Sequence, residues 1–324
     1  MTLSWPHKRL RGYRMSSTKT ALIFGAGGFV GPYLAREFSI HGYRVVGSDR
    51  SGECSSDEVD SCYGADLLDG DAVERIIKTS HPDVIVNLAA ISSVGQSWSI
   101  PQATMQVNVV GSLNILEAAK GMESAPKILL VGSSEEYAPS NDLLSEDSPV
   151  QATSPYGVSK EAQERFAEIY AERFGLEVYR VRAFNHTGIG QCETFVLPSF
   201  CKQVAEIERS GKPGIMRVGN LHVCRDFSDV RDVVRAYRMV VESDRAGEVF
   251  NVGSGIACLL SDLLDSIISC SDQEIAVEID PGKLRPVDVP TILCDRSKIG
   301  RLVGWEPEHF IEQTLAGMVR NYLV

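Results

Sequence analysis

No stretch of the 324-residue chain approaches about 18 uninterrupted apolar residues, so nothing in it reads as a membrane span. An apolar leader core is also missing near the start, which argues against secretion and for a cytoplasmic protein. The eight cysteines (54, 62, 192, 201, 224, 258, 270 and 294) include no C-x-x-C pair. Neither a zinc site nor a disulfide framework is therefore expected, and scattered free thiols suit a reducing compartment. The six histidines show no i, i+4 pairing beside a carboxylate, so no metal is expected. Positive charge is scarce as well: 32 Lys+Arg stand against 43 Asp+Glu, a formal charge of −11. Such a surface repels a polyphosphate duplex, so nucleic acid is not an expected partner, and any phosphate must be held by a local cluster.

A hydrophobic content of 44% and a charged content of 23% are those of a globular chain, and the length suggests two lobes. Residues 1–19 are basic without a hydrophobic period and read as a disordered tail, with Met15 an alternative start. From residue 20 the pattern changes. Thr20–Phe24, Val45-Val46, Val84–Val86 and Ile128–Val131 are short apolar runs separated by helix-like segments at 69–79 and 101–120. Alternating helices and fully apolar strands predict an α/β fold whose parallel sheet is covered on both faces. After about residue 183 glycines punctuate longer loops, and helical periods return at 194–209, 229–243, 259–270 and 308–322. The reading is a dinucleotide-type domain over 20–183 and a smaller C-terminal substrate lobe, mainly 184–324, with some segments returning to the first sheet.

Gly25-x-x-Gly28-x-x-Gly31 lies between the first strand and a helix, with Phe29 and Val30 between the last two glycines. In a doubly wound, Rossmann-type sheet the first glycine permits the tight turn, the second lets a pyrophosphate approach, and the third lets helix pack on strand. Amides at the helix N-terminus then meet phosphate oxygens without any basic side chain. Asp49 follows 18 residues after Gly31, where a carboxylate accepts from adenosine ribose hydroxyls and repels a 2′-phosphate. That favours NAD, while the adjacent Arg50 keeps NADP open. Asp66 and Leu67 read as adenine contacts, and Leu88, Ala89 and Ala90 as small residues passed closely by the cofactor.

Tyr156 and Lys160 share one helix face at i, i+4. A lysine ammonium there is expected to lower the phenol pKa and so poise Tyr156 for proton transfer. Ser133, at the carboxyl end of the fifth strand in Gly132-Ser133-Ser134-Glu135-Glu136-Tyr137, can hydrogen-bond a substrate carbonyl beside it.

Together these motifs resemble the extended short-chain dehydrogenase/reductase family of nucleotide-sugar enzymes, over nearly all of the chain from residue 20. The resemblance implies that Ser133, Tyr156 and Lys160 form the catalytic triad and that Asn108 belongs to the cofactor site. Phe24 stands where the family often has threonine. Arg182-Ala-Phe-Asn185-His186, Val196, the Asn220 and Arg225-Asp226-Phe227 segments, and Arg285 with Asp288 look like the parts that meet a GDP-linked 6-deoxyhexose. Arg225 and Arg285 can each offer bidentate donors to a diphosphate. Ser93 and Asn185 are implied sugar contacts. The implied activity is reduction of GDP-4-keto-6-deoxy-D-mannose at C4 to GDP-D-rhamnose. The alternatives are GDP-mannose 4,6-dehydration with Glu135 as base, a 4-epimerase, and a non-enzymatic dinucleotide sensor. A homodimer through the helices around 101–120 and 154–174 is also implied.

Overall fold

The structure, a computed structural model, describes residues 18–54, 56–283 and 289–324. The apolar runs, too short and too β-branched for helices, become strands of one sheet. Its seven strands are β1 (Thr20–Phe24), β2 (Arg44–Asp49), β3 (Ser61–Gly64), β4 (Val84–Asn87), β5 (Lys127–Ser133), β6 (Val178–Ala183) and β7 (Val249–Val252). Every pairing is parallel, in the order β7-β6-β5-β4-β1-β2-β3. The order reverses between β1 and β4, and a crevice opens at the carboxyl ends of strands there.

Helices α1 (Gly31–Ile40), α2 (Gly70–Ser80), α3 (Gly111–Lys120), α4 (Pro155–Phe174), α5 (Val196–Ser210), α6 (Val230–Glu242), α7 (Leu260–Ile268) and α8 (Ile311–Leu323) complete the main frame. Phe38 of α1 and Tyr237 of α6 bury one face of the sheet; Ile76 of α2, Leu116 of α3 and Tyr170 of α4 bury the other. A third core under α5, α7 and α8 centres on Phe200, Leu264 and Leu315. Above it, Cys224–Asp229 pairs in parallel with Asn185–Thr187 and Thr291–Cys294 and antiparallel with Ala257–Leu259. Asp226, wholly buried in that sheet, accepts from the Ser254 amide and hydroxyl and the Gly255 and Cys294 amides. Among the described residues no helix is long and apolar enough to cross a membrane.

Two sequence expectations are corrected here. The helix expected over 101–120 is interrupted by a π-turn at Gln106–Val110, which bulges Asn108 inward. The cysteines are not all free: Cys54 and Cys62 form a disulfide. Cys62 in β3 lies opposite Gly47 in β2, and a Cβ on Gly47 would stand 2.5 Å from the Cys54 sulfur. Strand adjacency and a missing side chain bring the two sulfurs together, which a search for C-x-x-C spacing does not detect. Thiol titration of denatured, unreduced protein is expected to count six cysteines, 192, 201, 224, 258, 270 and 294. A count of eight would refute the bond. The 1–17 tail lies outside the described residues.

Candidate active site

The glycine loop between β1 and α1 has the shape a dinucleotide pyrophosphate requires. Gly25 sits at φ +79°, and a Cβ there would come 2.7 Å from the Ala89 amide nitrogen. Gly31 packs so closely that a Cβ would overlap the Ala26 carbonyl. A Cβ on Gly27 would stand 2.8 Å from both the Asp49 carboxyl carbon and the Glu53 carbonyl oxygen. Gly28 differs: a Cβ there would meet only the Gly25 carbonyl, at 3.3 Å, so this is the face left open for close approach. Val30 supplies no capping side chain to α1, whose first amides therefore suit an anion. Asp49, ending β2 beside Gly27, accepts from the Ser51 amide and hydroxyl at 3.0 and 2.9 Å and remains only partly buried. Arg50 beside it is exposed. These residues fit an adenosine ribose and pyrophosphate.

Other residues read toward the cofactor also make contacts within the protein. Leu67 turns its side chain into the core against Gly111, while exposed Asp66 caps its own turn by accepting from the Leu68 amide. Asn108 is fully buried; its amide bonds both backbone groups of Ile91 and donates to the Ser159 hydroxyl. It thus ties the loop after β4 to α4, on which the tyrosine and lysine sit, and its amide is spent inside the protein. Phe29 stacks on His186, 6.4 Å between ring centroids, joining the glycine loop to the loop after β6.

A cavity of about 820 Å³ extends from this crevice toward the C-terminal elements. Leu88, Ala90, Ser133, Glu135, Tyr156 and Lys160 line part of it. Ser93, Asn185, Val196, Asn220 and Arg225 line the remainder. The sequence motifs, spread over more than 100 positions, thus face one space. Ala89 backs directly onto Gly25. Arg225 also donates to the Cys224 and Val289 carbonyls, both at 2.8 Å, which fixes the guanidinium in the wall. Arg285 and Asp288 lie outside the described residues.

The candidate catalytic side chains come from two elements: Ser133 from the end of β5, Tyr156 and Lys160 from the first turns of α4. Ser154 caps that helix by accepting from the Gly157 amide, and Pro155 opens it. The Tyr156 phenol stands beside Ser133, and burial pushes its pKa well above the ordinary value. Lys160 donates to the Val131 carbonyl at 2.7 Å and to Gln163 at 3.3 Å, and burial pulls its pKa down to about 8. The expectation that the lysine lowers the phenol pKa is corrected: desolvation dominates both groups, and the ammonium is directed at the β5 backbone.

The segment beginning Arg182-Ala-Phe-Asn185-His186 contributes further cavity residues. His186, held through Nδ1 at the Phe184 carbonyl, is kept in its neutral form by burial. Gln191, Glu193 and Lys283 also line the cavity. Beneath Ser133 sits a buried charge cluster of Glu136, Glu164 and Arg182, legible in sequence only as scattered polar residues.

The family described as GDP-mannose 4,6 dehydratase matches residues 22–318. A GDP-6-deoxy-D-mannose reductase from Pseudomonas aeruginosa is 29% identical over 260 residues, 79% of this chain and 85% of that protein. A GDP-mannose 4,6-dehydratase from Yersinia enterocolitica is 30% identical over 350 residues, 94% of each chain. The structure of RMD from Pseudomonas aeruginosa complexed with NADPH superposes with a TM-score of 0.83 at 26% identity, covering 94% of this chain and 98% of the other.

Proposed function

The chain belongs to the GDP-mannose 4,6-dehydratase family of extended short-chain dehydrogenases/reductases, NAD(P)-dependent enzymes acting on GDP-sugars, and from that premise we propose that it reduces the C4 ketone of GDP-4-keto-6-deoxy-D-mannose to GDP-D-rhamnose. One observation carries the choice: the Tyr156 phenol is buried beside Ser133 and held protonated by burial. A ketone taking up hydride becomes an alkoxide and needs a proton donor, which a protonated phenol is.

The Gly25–Gly31 loop and Asp49 would hold the dinucleotide, whose nicotinamide supplies the hydride when bound. Ser133 then polarises the C4 carbonyl, Tyr156 delivers the proton to its oxygen, and the Lys160 cation steadies negative charge as it develops nearby. Arg225 and Asn220 in the cavity wall suit a diphosphate and a base. Apolar Leu88, Phe184 and Tyr237 in the same wall restrict water around the reacting carbon. A homodimer belongs to the same reading, supported by Val110, Val158, Ile169 and Phe174, which are exposed along the segments 101–120 and 154–174.

Dehydration of GDP-mannose is the second reading, favoured by Glu135 in the cavity wall near Tyr156, where a carboxylate can take a sugar-ring proton. The two are separated by following reduced-nicotinamide absorbance. Stoichiometric consumption of NADH or NADPH with GDP-4-keto-6-deoxymannose is expected. A keto sugar formed from GDP-mannose without net consumption would instead establish the dehydratase. The two reduced cofactors in parallel read out the opposing pulls of Asp49 and Arg50.

A further inference from the structure

The turn after β5 presents two successive glutamates to opposite sides. Glu135 faces the cavity, whereas Glu136 has no exposed surface at all. One Glu136 oxygen accepts from the Ser133 amide at 2.6 Å, and the Ser133 hydroxyl in turn accepts from the Glu135 amide at 3.2 Å. The Glu136 carboxyl fills space that exists only because residue 132 is glycine. Its other oxygen, Oε2, makes no hydrogen bond in the direct protein geometry and lies 3.8 Å from Nε of Arg182. Arg182 is already committed to Glu164, through Nε at 3.1 Å and Nη2 at 2.5 Å. Arg182 belongs to β6, opposite Gly132, and Glu164 belongs to α4, the helix that carries Tyr156 and Lys160.

The cluster therefore holds Glu136, Glu164 and Arg182 out of water, with Arg182 satisfied by Glu164; buried Arg180 stands 3.7 Å from Glu164 but is bonded to Glu168 and the Gly247 carbonyl. A second buried carboxylate without a cation of its own is strongly disfavoured, whereas a protonated carboxyl can donate from Oε2 to Glu164. We infer that Glu136, as a neutral carboxyl hydrogen-bonded between the Ser133 amide and Glu164, is a positioning residue that fixes the β5 end against the Tyr156–Lys160 face of α4. Burial and the neighbouring Glu164 hold its pKa well above the carboxylate range, in keeping with that assignment. The groups facing it are Ser133 from β5, Tyr156, Lys160 and Glu164 from α4, and Arg182 from β6. Were Glu136 ionised, its charge would raise the pKa of both Tyr156 and Lys160.

The inference rests on the proposed oxidoreductase reading for its kinetic test, and is measured with whichever GDP-sugar reaction the protein performs. Glu136→Gln keeps an acceptor for Ser133 and a donor for Glu164, so kcat is expected to stay within about twofold. The alkaline limb of its pH profile should not move. Glu136→Leu strands the Ser133 amide and is expected to lower kcat roughly tenfold or more, with KM and NAD(P)H affinity unchanged. An infrared difference spectrum between the wild type and Glu136→Gln should show one protonated-carboxyl band lost at neutral pH. That readout needs neither substrate nor a folded leucine variant, so it stands even if the GDP-sugar assignment fails. A limb displaced to lower pH in Glu136→Gln, or absence of the band, would show an ionised Glu136 and overturn the inference. Wild-type kcat in Glu136→Leu would overturn it equally.

Discussion

Tyr156→Phe is expected to lower turnover by about 10²–10⁴-fold, the range associated with losing a positioned proton donor. The ring is buried, so phenylalanine keeps its packing and removes only the hydroxyl beside Ser133. NAD(P)H affinity, followed by cofactor fluorescence, should therefore be retained while product formation collapses. Retained turnover would remove Tyr156 from the chemistry. Loss of cofactor binding together with turnover would instead assign the phenol to the cofactor site.

The pH profile of the wild type supplies the complementary reading. Lys160 is a cation below its pKa of about 8 and neutral above it, because burial penalises the charged form. If the cation steadies charge on the reacting oxygen, turnover holds on the acid side of that value and falls as pH rises through it. Tyr156 does not contribute to this limb, since its own pKa is displaced upward. A limb at this position is the expected counterpart of the Tyr156→Phe result: one group gives a proton, the other gives charge.

Much of this site was legible in the sequence because its parts are set by local rules. A buried strand, a glycine loop and a helix start are contiguous, and the i, i+4 spacing of Tyr156 and Lys160 fixes a shared face wherever the helix lies. The parallel sheet followed from runs such as Thr20–Phe24, buried at every position. What stayed hidden depends on contacts between segments far apart in the chain. Which of Glu135 and Glu136 enters the cavity is decided by the 3₁₀ turn after β5 and by the room at Gly132. Leu67 reads like a loop residue beside the adenosine site, yet the missing side chain of Gly111 draws it into the core. Asn108 is bonded to Ile91 and Ser159 across a π-turn that periodicity does not reveal. The Cys54–Cys62 bond likewise needs β2 beside β3. Desolvation, which reverses the expected effect on Tyr156, can be read only once burial is known.

The glycine loop permits a sharper separation of binding from folding than the catalytic residues do. Gly28→Val places a branched side chain on the open face of the loop, where the added Cβ meets only the Gly25 carbonyl, at 3.3 Å, and asks of it a shift of no more than a few tenths of an ångström. Its thermal midpoint should move little, while NAD(P)H affinity is expected to fall by roughly 10²-fold or more, because the pyrophosphate can no longer reach the loop amides. Gly31→Ala places its methyl group within the Ala26 carbonyl, which is backbone and cannot swing aside. Either α1 lifts from β1 or the loop opens, and destabilisation of about 1–3 kcal/mol is expected, in the range of an overpacked core. A lowered thermal midpoint should thus accompany any loss of affinity in Gly31→Ala and be absent in Gly28→Val. If Gly28→Val bound NAD(P)H normally, the pyrophosphate would have to approach by another face, and the orientation of the nicotinamide toward Tyr156 would need to be redrawn. If both variants melted like the wild type, the close approach of α1 to the loop would not be the constraint that fixes glycine at position 31.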